Sequence, residues 1–378
     1  MFCFGCDIIY NMSNLLDYLG KKNLEPISRE APLNTLDALT LARFSYLPFN
    51  QIDLQDFETI SSIANKMQKL GVKKFLYPED KEMIAKLGQN QRFANLETSD
   101  YVFRFNKRTV EQFAAITIHL SKNTIFVSFI GTDDTLSGWR EDCNMAIQET
   151  VPSQKSAKKY LKTVATKYPD KKIYIGGHSK GGTLAMYATL TSKHQLARRI
   201  KFVYSFDGPG LSEKLTRKSL RKFKAAGDRS PLSRMLNYIP QDSVVGRLFS
   251  HAEKFQVIKS NAKNFYQHNV HTWQVNLREQ KLVPAAITKK SDFVDQTISE
   301  WIKTMPKKQK KLFIDSIFKV LDKSKYNSPI GISVDGIRAI PDLFGSFRRL
   351  EKEDKKAVFF GLKKLISTAV FTREKKRK

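Results

Sequence analysis

The chain has 378 residues, 41% of them hydrophobic, with 13 prolines spread along it: enough for one large α/β domain plus an appendage. No apolar run approaches the ~18–20 residues of a membrane span, and three cysteines exclude a disulfide framework. A formal charge of +28 favours anionic partners, whether a lipid surface, a polyanion or an acidic substrate.

In chain order, residues 1–12 read as an extension outside the fold. The apolar stretch Met1 to Tyr10 lacks a basic leader and a small-residue cleavage site, so no signal peptide is expected, and Met12 is an alternative start. Cys3 and Cys6 form a lone C-x-x-C without a second ligand pair, so neither a metal nor a cofactor is expected. Cys143 reads as a small packing residue, and the cysteine usage as a whole points to a cytoplasmic setting. Residues 13–47 read as helices around Leu36–Ala42, ending near Pro48, and 54–98 as helical and polar. Residues 112–120 and 124–130 flank Ser121-Lys122-Asn123 with hairpin spacing. A basic amphipathic helix is expected over 153–168, then strands at 171–176, 200–206, 235–239 and 255–258. Strands alternating with helices at these lengths predict a doubly wound, mostly parallel α/β sheet, with 13–280 as one domain. From about 281 to 378 the pattern is helical, with 24 Lys/Arg against 11 Asp/Glu, and Arg373 to Lys378 read as a frayed tail. No zinc-finger or RNP-type motif accompanies these lysines, so nucleic acid is not an expected partner.

Between the strand at 171–176 and an apolar helix at 183–190 stands Gly177-His178-Ser179-Lys180-Gly181. A strand, G-x-S-x-G and a helix in that order define a nucleophile elbow: the serine needs a cramped backbone, and a glycine two residues to either side removes Cβ clashes. A phosphate-cradling loop would need G-x-x-x-x-G-K-[ST], which the segment lacks. An activated serine requires a base, normally an imidazole. Of the six histidines, His119 sits in a strand, His178 points away from the serine and His194 lies down the helix. The order serine, acid, histidine leaves His251, His268 and His271. His268, in a loop after the last strands, is the first choice and His271 the second. Asp242, just past the strand at 235–239, is the preferred acid; Asp207 is the alternative, with turn capping before Gly208-Pro209 as its ordinary role. The Lys180 backbone N–H and Thr132, in the loop after Phe129, are the candidate oxyanion donors.

Three segments now on the page resemble class 3, fungal-type lipases: Phe129-Ile130-Gly131-Thr132 with Trp139 and Asp142, Gly177 to Gly182, and Asp242 to Gly246. A bacterial family of lipase-like α/β-hydrolases called Mbeg-like is more similar still, at Leu39 to Pro48, at Gly131 to Asp134 with Gly138-Trp139, at Ser205 to Gly210, and at Gln267-His268 with Trp273. The resemblance implies Ser179 as nucleophile, Asp242 as acid, His268 as base, and Thr132 with Lys180 at the oxyanion hole. Class 3 lipases usually carry Arg where this chain has Ile130 and Leu where it has Lys180, which bears on substrate preference. The expected activity is cleavage of carboxylic esters, acyl lipids among them, through an acyl-enzyme. A thioesterase or peptidase with the same triad, and a catalytically silent polyanion-binding protein of the same fold, are the alternatives. The basic C-terminal segment is expected to cap the site or to touch an anionic membrane surface peripherally. Oligomeric state is left open.

Overall fold

Three antiparallel and four parallel pairings build an eight-stranded sheet in the computed structural model, which describes residues 13–326, 332 and 336–375. Residues 1–12, with Cys3 and Cys6, lie outside the described residues, as do 376–378. The chain begins with α1 (Leu15–Leu19), α2 (Thr35–Phe44), β1 (Glu58–Thr59), α3 (Ile60–Lys69) and α4 (Glu79–Gln89). The sheet continues through β2 (Glu97–Asn106), β3 (Glu111–Ser121) and β4 (Thr124–Phe129), followed by α5 (Leu136–Asn144), α6 (Pro152–Lys167) and β5 (Lys172–His178). Then come α7 (Lys180–Leu190), α8 (His194–Arg199), β6 (Ile200–Phe206), α9 (Glu213–Ala225), β7 (Met235–Pro240) and β8 (Phe255–Ile258). A small hairpin of β9 (Val275–Asn276) and β10 (Lys281–Leu282) precedes α10 (Lys289–Thr304) and α11 (Lys307–Asp322). Ile340–Arg348 and Lys352–Lys375 form α12 and α13.

Strands β4 to β8 run parallel in sequential order. Right-handed crossovers between such neighbours put every connecting helix on the same face. Accordingly α6, α7 and α9 pack together against Ile125, Val127, Phe129, Ile173 and Ile175. The other face of a parallel sheet also needs cover, and the N-terminal helices supply it, with Leu36, Leu39, Phe44, Ile63 and Met83 packed on Phe126, Tyr204, Phe206 and Tyr238. The alternation of Ile125, Val127 and Phe129 with Phe126 is the period-2 pattern of a strand buried on both sides. Together these features are the α/β-hydrolase type of architecture: a mostly parallel central sheet with helices on both faces.

The hairpin expected at 121–123 closes β3 onto β4, with Ser121 opposite Thr124. Residues 54–98 depart from the all-helical expectation, because β1 and the start of β2 form the sheet edge there. Backbone pairing continues past residue 280. Ala285 and Thr288 still donate backbone bonds to Val257 (2.9 Å) and Gln241 (3.0 Å), so the chain leaves the sheet only as α10 begins. Helix α13 runs through Lys375 into the segment expected to fray. No helix among the described residues is long and apolar enough to cross a membrane.

Candidate active site

Ser179 joins the end of β5 to the start of α7 with φ 57° and ψ −134°, a backbone conformation that side-chain-bearing residues seldom adopt. Close crossing of strand and helix requires its flanking glycines. A Cβ on Gly181 would stand 2.2 Å from the Phe129 carbonyl oxygen, and one on Gly177 2.4 Å from the Gly181 carbonyl carbon. Ser179 N–H donates to Phe206 (2.9 Å) and the Ser179 carbonyl accepts from Gly182 N–H (2.9 Å), so both sides of the bend are tied down.

His268 ends a short 3₁₀ turn, and its Nδ1 lies 2.6 Å from Asp207 Oδ2. Asp207, the alternative carboxylate, rather than the preferred Asp242, is the one in contact with this imidazole. Asp207 directly follows β6, the strand beside the elbow strand, at φ 52°. Its second oxygen accepts from Ser243 Oγ (2.5 Å) and Gly246 N–H (3.1 Å), so both oxygens of the buried carboxylate are engaged. The preferred candidate, Asp242, instead accepts from Thr288 Oγ1 and from Gln267 Nε2 (3.2 Å), while its N–H donates to Gln267 Oε1 (3.0 Å). It braces the histidine loop and the entry to α10 without touching the imidazole. A turn signal at Asp207-Gly208-Pro209 masked a residue at the C-terminal end of a parallel strand, where sites in open α/β sheets are built.

His271, the second-choice base, is buried on the far side of this loop with Nε2 2.9 Å from Asp80 Oδ1. Asp80 also accepts from Arg43 Nε at 2.7 Å, and although burial opposes it, the Arg43 guanidinium and His271 hold this carboxyl well below the usual carboxylate range. His251 is paired with Glu253 at 2.7 Å. A role for His178 escaped the sequence. Its ring lies against that of His268, centroids 4.4 Å apart, and its Nε2 donates to the His268 carbonyl at 2.8 Å. Burial pushes the His178 imidazole well below its ordinary pKa, so it serves as a neutral prop. Its own carbonyl accepts from the Tyr46 hydroxyl at 2.9 Å.

The Lys180 backbone N–H opens α7 beside the serine, and Thr132 lines the same cavity as Ser179, its hydroxyl donating to Asp142. The Lys180 side chain turns away and is completely buried, with Nζ 3.0 Å from Glu141 Oε2, 2.8 Å from Gln112 Oε1 and 3.8 Å from Asp142 Oδ1. Burial works against that charge, but Glu141 and Asp142 outweigh it and raise the lysine's pKa. Burial, aided by Glu141, pushes the Asp142 carboxyl up to about 6. Neither the side chain of Ile130 nor that of Lys180, the two departures from class 3 lipases, lines the cavity.

That cavity, of about 330 Å³, holds Ser179, His268, Thr132 and Asp142 at its floor. Trp139 and Phe265 form an aromatic wall continuing to His268, with centroids 5.8 and 5.7 Å apart along the row. Ile298, Trp301 and Ile302 of α10 and Phe313 and Ile314 of α11 supply the side opposite the floor. Helix α11 is clamped to α5 by Ile314 and Phe318 packing on Trp139 and Cys143, and by Arg140 to Asp315 at 2.7 Å. Cys143 is part of that apolar contact, and burial pushes its thiol up to about 12.

The sequence profile of the Mbeg1-like family matches residues 87–319, more than half of the chain. The chain belongs to the Mbeg1-like family. Among solved structures it is similar to lipase II from Rhizopus niveus, at 13% identity over 59% of this chain and 78% of that one, with a TM-score of 0.35. It is similar also to the Lip2 lipase from Yarrowia lipolytica, at 14% identity over 71% and 91% of the two chains, with a TM-score of 0.38. No curated protein matches it in sequence.

Proposed function

We propose that this chain is a serine hydrolase of carboxylic esters. Ser179 is the nucleophile, His268 the base and Asp207 the group that holds the imidazole, with the backbone N–H groups of Lys180 and Thr132 receiving the oxyanion. The observation that carries the reading is the His268–Asp207 bond of 2.6 Å on an imidazole that shares one apolar cavity with Ser179. With Nδ1 committed to the carboxylate, Nε2 is the basic nitrogen. It takes the hydroxyl proton as Ser179 attacks the carbonyl carbon, then gives that proton to the departing alcohol. Water repeats the sequence on the acyl-enzyme and returns the carboxylic acid. The aromatic and aliphatic walls from Trp139, Phe265, α10 and α11 suit an acyl chain, and the carboxylates of Asp133, Asp134 and Asp142 around the floor disfavour an anionic group next to the scissile bond.

A fluorophosphonate probe should label wild type and leave Ser179→Ala unlabelled. Across short and long acyl esters, thioesters and peptides, the same substitution should lower turnover by several orders of magnitude on the preferred class. Absence of labelling on Ser179 in the folded protein would favour the catalytically silent reading, and faster cleavage of thioesters or peptides would move the assignment to those classes.

A further inference from the structure

Helix α13 has two apolar faces. Ala357, Val358, Gly361 and Thr368 turn inward, where α13 packs against Trp301 and Phe313. The outward face carries Phe359, Leu362, Ile366 and Val370, spaced three and four residues apart so that they fall on a single stripe. Phe359 is 69% exposed and Ile366 65%. Phe360 and Phe371 are exposed beside the stripe, and α12 adds exposed Ile340 and Phe344. Nine of the seventeen exposed large apolar side chains among the described residues lie within 337–371, a concentration that scattered surface hydrophobics do not produce.

Charge decides what covers this face. Lys352, Lys363 and Arg373 fall on the same arc of the helix as Phe359 and Ile366, and residues 281–378 carry a surplus of thirteen positive charges. A second copy would bring the same lysines, on a chain of formal charge +28, against these. An anionic phospholipid surface accepts both features at once: apolar side chains enter the boundary between headgroups and acyl chains while the lysines and arginines stay at the phosphates.

We infer that the outward face of α13 docks the protein on an anionic phospholipid surface. Helices α10 and α11, which wall the cavity, lie directly beneath α13. Docking therefore sets the Ser179 cavity about two helix diameters, ~20 Å, from the lipid.

Sedimentation with vesicles of ether-linked lipids tests this without any cleavable ester, so the result is independent of the hydrolase reading. Wild type should bind phosphatidylcholine vesicles containing phosphatidylglycerol about tenfold more tightly than phosphatidylcholine alone, with loss of binding as salt rises to 1 M and the Debye length shrinks to ~3 Å. Phe359→Ser combined with Ile366→Ser and Val370→Ser should weaken that binding about tenfold. Lys352→Glu with Lys363→Glu and Arg373→Glu should abolish the preference for phosphatidylglycerol, a result that stands even where the serine variant folds poorly. Turnover of a short water-soluble ester should be unchanged in both. Equal binding to the two vesicle types, or binding indifferent to both sets of substitutions, overturns the proposal. So does a wild-type dimer that the serine substitutions dissolve, which would assign the face to a second copy.

Discussion

Asp207 and Asp242 carry the same functional group and stand at the ends of neighbouring strands, yet their surroundings give them different work. One oxygen of Asp207 meets the His268 imidazole and the other two hydrogen-bond donors, whereas Asp242 ties Gln267 to Thr288. Asp207→Asn should therefore cost about 10⁴ in turnover. Asp242→Asn should cost about 1–3 kcal/mol of stability and change turnover little; the reverse ranking in steady-state kinetics would restore Asp242 as the acid. Asp142 carries a pH signature. Its carboxyl is raised from 3.8 to about 6 when folded, so between those values the folded chain keeps a proton that the unfolded chain has lost. Stability from this group thus falls as pH rises through that window, on the order of 3 kcal/mol, and is level above it. Asp142→Asn should remove that slope, read as the difference between variant and wild type in denaturant midpoints at pH 4.5 and pH 7.5. The elbow that carries Ser179 was legible because a strand, flanking glycines and a helix make a local pattern. Which carboxylate meets His268 was not, since the choice between two aspartates depends on strand order and loop path, which no short motif records.

Elements were legible where apolar periodicity and turn residues mark them, and the ten-residue β2 was not among the expected strands. The hairpin at Ser121 and Thr124 and the strand into Ser179 stand out by periodicity and turn residues. The two-residue strands β1, β9 and β10 carry no period at all and exist through pairing with partners fixed elsewhere. The same holds for the contact between α13 and α11. A Cβ on Gly361 would stand 2.0 Å from the Phe313 ring, so the two helices touch only because that position has no side chain. Gly361→Leu should force α13 away from the cavity wall and cost about 1–3 kcal/mol, detected as a lower melting temperature with easier proteolysis between α11 and α13. An unaltered melt would mean that the two helices do not depend on each other.

At the scale of the whole molecule, buried ion pairs hold the N-terminal layer together and tie it to the loop that carries His268. Arg92 lies 2.6 Å from Asp37, and Arg43 is paired with Asp80, which also receives His271. Arg43, Asp80 and His271 come from three distant segments, so no sequence pattern announces them. Arg43→Ala would leave Asp80 buried without its main partner, and the expected loss is about 3–5 kcal/mol. It should also lower turnover, because His271 anchors the loop that bears His268; a variant as stable as wild type would mean that water replaces the guanidinium.

The imidazole of His178, one residue before the nucleophile, grips the peptide carbonyl of His268. Ser179 and the His268 ring therefore share a tether shorter than any path through the sheet. On the proposed mechanism, a shift of the elbow would carry the imidazole loop with it rather than open a gap between the two.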